Sequence, residues 1–202
     1  ADAARLLRTR GQAMQDAVPV GEGAMAAILG LDLAVVEEIA AEAAGAEVCA
    51  AANDNDPAQV VVSGHTGAVE RAVELAKTRG AKRALLLPVS APFHCALMEP
   101  AAAVMAQSLN EVDIMRPSVP VVSNVNAEPC EDTALIRSLL VDQITGRVRW
   151  RESVMRMAEM GVTEIWEIGA GKALSGMVRR IDKSLATRAI SAPGDIAAAI
   201  EA

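Results

Sequence analysis

The sequence is nearly without aromatic rings: one phenylalanine, two tryptophans and no tyrosine in 202 residues. Its core must therefore be packed from Ala, Val, Leu, Ile and Met. A basic surplus is absent too. With 19 Lys and Arg against 26 Asp and Glu, the formal net charge is −7. That argues against a nucleic-acid partner, because phosphate binding draws on clustered positive charge. No apolar run reaches the roughly 18 residues of a membrane span, so no membrane partner is expected. The first residues lack the charged-then-apolar pattern of a signal segment. The three cysteines, Cys49, Cys95 and Cys130, are widely spaced and odd in number. They read as reduced thiols in a cytoplasmic protein, with no metal-like spacing.

What is present is a 52% hydrophobic chain with clear periodicity, the balance of an α/β protein. The opening stretch, ADAARLLRTRGQAMQDAV, already has helical spacing at Leu6, Leu7, Met14 and Val18. Beyond Pro19 the pattern predicts a strand over 23–31 and a helix over 32–45, started by Asp32 and stopped by Gly45. Strands over 48–53 and 58–64, a helix over 66–80 and a strand over 82–90 follow. This βαββαβ order is the ferredoxin-like arrangement. From Ala91 helices near 98–109, 132–144, 151–161, 172–185 and from Asp195 alternate with strands over 119–125, 164–169 and 188–191. That alternation predicts a mostly parallel sheet covered on both faces. The βαββαβ unit then reads as an insertion, dividing the chain into 1–20, 21–90 and 91–202.

Few residues offer chemistry. His94, in LPVSAPFHCALMEP, follows a strand and precedes a helix, the end of a strand where ligands bind in open α/β sheets. A helix cap or a packed loop histidine explains it equally well when taken alone. His65, in SGHTGAVE, mimics a GHxxG nucleophile motif, but it opens a helix for which Ser63 or Thr66 reads as the cap. It is therefore not expected to be catalytic. Cys95 adjoins His94, yet consecutive side chains diverge, so a small half-buried residue is the simpler account. GAGKALSG (169–176) opens a helix but lacks the P-loop spacing and reads as a tight turn. Arg5, Arg8 and Arg10 lie on the first helix, and Lys172, Arg179, Arg180 and Lys183 form a local basic cluster. Each group is equally consistent with solvated charge or helix-end compensation.

Several strings together, RTRGQAMQDAVPVGEGAMAAILGL, ANDNDPAQVVVSGHTGAVERA, AKRALLLPVSAPFHCALMEPAA, VPVVSNVNA and IGAGKALSGMVRRI, closely resemble the malonyl-CoA:acyl carrier protein transacylases of bacterial fatty-acid synthesis. The resemblance runs in order along the whole chain. It implies an α/β-hydrolase-like acyltransferase core with an inserted ferredoxin-like subdomain. The implied reaction is a ping-pong transfer of malonyl from malonyl-CoA, through a serine, to the phosphopantetheine thiol of acyl carrier protein. No cofactor is implied beyond the coenzyme A thioester substrate. By the same resemblance His94 matches the general base, and Gln143 the residue whose backbone carbonyl orients it. Arg10 matches the arginine that holds the malonyl carboxylate, and Phe93 an aromatic found in malonyl-selective enzymes. Asn55, with Asn53, falls near the pocket.

The 202 residues contain no GHSxG nucleophile elbow. By resemblance the serine and the oxyanion-hole loop belong before Ala1, so the core is expected to be incomplete here. A longer protein, a separate associating N-terminal segment, or a fragment each accounts for this. A fragment is expected to expose apolar surface and to associate through it. A non-catalytic module that docks the acidic carrier protein on the basic cluster is the alternative function.

Overall fold

The structure, a computed structural model, describes residues 2–200; the expected segment limits at 1 and 202 lie outside them. Helix α1 (Asp2–Asp16) is followed by β1 (Gly23–Leu29), α2 (Leu33–Ala44), β2 (Cys49–Asp56), β3 (Gln59–His65), α3 (Thr66–Thr78) and β4 (Arg83–Leu86). The four strands form one antiparallel sheet in the order β2-β3-β1-β4, with Ala26 opposite both Val62 and Leu86.

Local chemistry sets these elements. Asp32 caps α2 by accepting the Val35 N–H at 3.0 Å, and Gly45 ends it in the left-handed region at φ 56°. Helix α2 buries Val36, Ile39, Ala40 and Ala43, one stripe at helical spacing. Helix α3 buries Ala68, Val69, Ala72, Val73 and Ala76 in the same way. Both stripes pack on Ala26, Ile28, Val60 and Val62 of the sheet. The small alanines let helices approach the strands closely without aromatic filler. The opposite face carries Met25, Ala27, Ala52 and Val61, against which Leu29, Leu87 and Phe93 pack. Strand β1 stops at Leu29 because Gly30 turns at φ 89°. Strand β4 stops short of its expected end because Pro88 has no N–H to pair.

The remaining chain comprises α4 (Glu99–Asn110), β5 (Val121–Val122), β6 (Pro129–Cys130), α5 (Thr133–Thr145), α6 (Trp150–Glu159), β7 (Glu164–Ile168), α7 (Ala173–Ile181), β8 (Ala186–Ile190) and α8 (Pro193–Ile200). Helices α1, α4 and α5 share a core of Met14, Met98, Ala101, Met105, Leu109 and Ile144. The expected mostly parallel sheet is not present among the described residues; β7 and β8 pair in parallel, and one isolated parallel bridge joins Asn53 and Val148. The strand expected over 119–125 contracts to two residues paired antiparallel with β6. Pro120 cannot donate to a ladder, and a turn through Ala127, at φ 59°, closes the hairpin immediately.

The two parts are joined at β2. Its register shifts twice, between Ala51 and Asn53 and between Asp54 and Asp56, and the strand bonds outward: Asp54 N–H donates to the Val148 carbonyl at 2.9 Å and Val148 N–H to that of Ala52 at 2.8 Å. The Asp54 carboxylate, 1% exposed, takes Arg151 of α6 at 2.9 Å. Asp56, equally buried, takes Arg180 of α7 at 2.8 Å. Such pairs cost desolvation to form, but leaving one partner alone is worse.

Candidate active site

His94 sits in the turn between β4 and a short 3₁₀ segment, Ala96–Met98, and it adopts φ 60°. A non-glycine residue there is strained, so the surroundings must hold it. They do so closely. The buried Cys95 thiol donates to the Pro92 carbonyl at 3.1 Å, and the Phe93 N–H donates to Ala91 at 3.1 Å. Pro92 lies against Gly23, where a Cβ would come within 2.3 Å of its ring. Phe93 packs against both the sheet's second face and the α1/α4/α5 core, so the single phenylalanine anchors the turn between them.

The imidazole meets the C-terminal end of α5. The last carbonyls of a helix have no partner inside it, and that of Gln143 lies 3.0 Å from His94 Nδ1. A carbonyl only accepts, so Nδ1 carries the proton and Nε2 is left as the basic lone pair. Burial pushes the ring's pKa below its ordinary value of 6.5, and Arg10 adds to this. The carbonyls of Gln143 and Gly146 pull the other way without reversing it. At neutral pH the ring is therefore an uncharged base.

Arg10, from the third turn of α1, donates from Nη2 to Gln143 Oε1 at 3.0 Å. It is half-buried, which lowers its pKa, and it forms no ion pair among the described residues. A partly desolvated guanidinium without an anion is a site for one. Gln143 also lines a cavity of about 240 Å³ with Ser123, Asn124, Cys130 and Leu139.

The structure thus brings together Arg10, His94 and Gln143, with Phe93 behind them. Asn55 lies on β2 between two buried carboxylates, with no hydrogen bond to the other three among the described residues. Cys95 is turned into its own loop, and burial raises its pKa, so it forms no dyad with His94. His65 accepts the Val48 N–H on Nδ1 at 2.9 Å, while a Cβ at Gly64 would fall 1.9 Å from the Val48 carbonyl. The GHxxG look-alike is thereby a close strand contact. The capping expectation for α3 fails, because His65 itself occupies the N-cap without a side-chain bond and Thr66 bonds Gly21 instead. The start of α7 is filled from within: the Glu167 carboxylate accepts from the backbone of Leu174 and Ser175 at 3.0 and 2.7 Å. Of the basic cluster, Arg180 is committed to Asp56 and Arg179 to Thr187. The contact that sequence reasoning missed is the Arg10–Gln143 side-chain bond, which joins residues 133 positions apart.

A family model described as acyl transferase domain matches residues 1–190, and the chain belongs to that family. It is 49% identical over all 202 residues to the malonyl CoA-acyl carrier protein transacylase of Escherichia coli K12, covering 65% of that protein. It is 44% identical to the Bacillus subtilis enzyme of the same name, covering 99% of this chain and 63% of that one. The acyl-carrier-protein S-malonyltransferase structure from Bartonella henselae matches with a TM-score of 0.95 at 52% identity, covering 99% of this chain and 64% of that one. A malonyl-transacylase solved in complex with its type II polyketide-synthase acyl-carrier protein matches with a TM-score of 0.95 at 42% identity, covering 98% and 64%. The chain therefore spans just under two thirds of the length of these relatives.

Proposed function

We propose that this chain supplies the base and the carboxylate grip of a malonyl-CoA:acyl carrier protein transacylase. The observation that carries the reading is that one residue, Gln143, contacts both an uncharged histidine and an arginine without an anion. In the proposed cycle His94 Nε2 takes the proton of a serine hydroxyl as its oxygen attacks the malonyl thioester carbonyl. The C–S bond of the tetrahedral intermediate then breaks, His94 returns the proton to the departing coenzyme A thiolate, and a serine ester remains. The phosphopantetheine thiol of acyl carrier protein then gives its proton to the same nitrogen and attacks the ester; the C–O bond to serine breaks, His94 returns the proton to the serine oxygen, and the malonyl group leaves on the carrier thiol. Arg10 pairs with the free carboxylate throughout, which selects malonyl over acetyl. Phe93 fixes the turn and shapes the acyl site.

No serine of these 202 residues lies in a GHSxG motif, so the reading requires that serine on a segment other than these residues. Parallel strands are covered on both faces in proteins, and β7 exposes Trp166 and Ile168. In this reading that apolar face belongs to an α/β-hydrolase-like core completed by the same segment, with the β1–β4 unit as its ferredoxin-like insertion. The strand order and the two covering helices support the insertion. The only co-reactants are the two thiol carriers; the site is proposed to work without a cofactor, in the cytoplasm.

The test supplies a segment bearing the GHSxG serine and follows malonyl transfer to acyl carrier protein. Transfer that is lost on His94→Ala supports the reading, and transfer indifferent to it refutes it. Arg10→Ala is expected to shift donor preference from malonyl-CoA toward acetyl-CoA. Unchanged selectivity would remove Arg10 from the carboxylate role.

A further inference from the structure

The side chain of Gln143 makes a contact distinct from that of its carbonyl. We propose that the Gln143 amide is a positioning and specificity-determining group that holds the Arg10 guanidinium in one plane beside His94, so that carboxylate recognition and the base are registered by a single residue. The inference rests on the reading of Arg10 as the carboxylate grip.

The orientation of the amide follows from its partners. A guanidinium only donates, so the end of Gln143 facing Arg10 Nη2 at 3.0 Å is the oxygen. The amide nitrogen then faces His94 Nδ1 at 3.4 Å. Since Nδ1 already gives its proton to the backbone carbonyl at 3.0 Å, this second approach sets two donors edge to edge. It turns the positive end of the amide dipole toward the ring, which disfavours the imidazolium.

Arg10 spends one of its five N–H donors on Gln143, and the remaining four still include a two-nitrogen fork for a carboxylate. Without the amide oxygen, a half-buried donor loses its partner and the long side chain regains rotational freedom. Among the described residues Arg10 is the charged group that bears on the imidazole; the other polar groups acting on it are the carbonyls of Gln143 and Gly146. Whatever fixes Arg10 therefore also fixes the field at the base.

The test compares Gln143→Met and Gln143→Glu with the wild type, assayed with the serine-bearing segment present. Methionine keeps the length and the backbone carbonyl but removes the acceptor. It is expected to raise KM for malonyl-CoA about tenfold, the loss of one charged hydrogen bond, and to lower kcat less. The penalty for acetyl-CoA is expected to be several-fold smaller, so the preference between donors narrows. Glutamate places its own anion on Arg10 and is expected to narrow it further.

A readout free of activity comes from NMR titration of the His94 ring in the 202-residue chain, where only His65 competes. Gln143→Met removes the amide dipole and releases Arg10 from beside the ring without adding a charge, and is expected to move the titration of His94 upward. A merely structural Gln143 predicts equal losses for both donors and an unmoved titration, and either result overturns the proposal. Should Arg10→Ala leave donor selectivity unchanged, the functional reading falls and this inference with it. Should Arg10→Ala change selectivity while Gln143→Met does not, this inference alone fails.

Discussion

The β1–β4 unit and the chain that follows it are built on opposite terms. In the first, thirteen buried residues form one cluster between four strands and two helices. Around β7 and β8 the buried hydrophobic cluster among the described residues is just Val154, Val178 and Leu185, while Trp166 and Ile168 are 45% and 76% exposed. The candidate site lies in neither interior. It sits where the loop after β4, the C-terminal end of α5 and the third turn of α1 meet, with Phe93 reaching into both neighbouring cores. The core residues and the candidate site residues are thus largely different sets, with Phe93 common to both.

The largest expected effect is on rate. With the nucleophile supplied, His94→Ala is expected to slow transfer by about 10²–10⁴-fold, the span of general acid–base catalysis. Because the ring is only partly buried, the urea midpoint is expected to move little, and a large fall in stability with retained rate would reverse the assignment. Ile39→Ala is expected to do the converse. Deleting a fully buried side chain between α2 and the sheet costs about 2–5 kcal/mol in urea unfolding, with the His94 tautomer unchanged. Arg151→Ala probes the seam between the two parts. It leaves the Asp54 carboxylate buried and unpaired, a loss of up to about 3–5 kcal/mol, and Asp54→Asn in the same background is expected to recover part of it.

The order of the β1–β4 elements was legible because each signal is local. The Asp32 cap, the Gly45 stop, the QVVVSG run and the alanine stripes all lie within a few residues of what they decide. Beyond Ala91 the strands depend on distant partners. Val119 to Val125 has the composition of a strand, but with Pro120 and an immediate hairpin only Val121 and Val122 pair. Helix α7 ends four residues before its expected limit because the Asp182 carboxylate captures the Ser184 N–H at 2.8 Å. For the site, spacing alone offered His94 as one of several candidates. The resemblance singled out Arg10, His94 and Gln143, and folding places Arg10 and His94 each within hydrogen-bond reach of Gln143. The side-chain bond between Arg10 and Gln143 was invisible because nothing in a helix C-terminus announces which way its glutamine turns.

The smallest effect is in pH. His94 has its pKa lowered by burial first and by Arg10 second, so the folded state binds this proton less readily than the unfolded chain does. Stability from the neutral ring is full above the ordinary value of 6.5 and is lost as pH falls through it toward the depressed folded value. The acid limb of kcat/KM is expected to lie below 6.5 for the same reason. A limb above that value would mean that the carbonyls of α5 outweigh burial and Arg10.

Helix α5 presents a carbonyl that leaves His94 neutral with Nε2 free. The direct measurement is ¹⁵N NMR of the imidazole in the 202-residue chain at pH 7. A proton on Nδ1 and an unprotonated Nε2 is the predicted result. A proton on Nε2 alone, or on both nitrogens, would contradict it, because His94 could then not serve as the base.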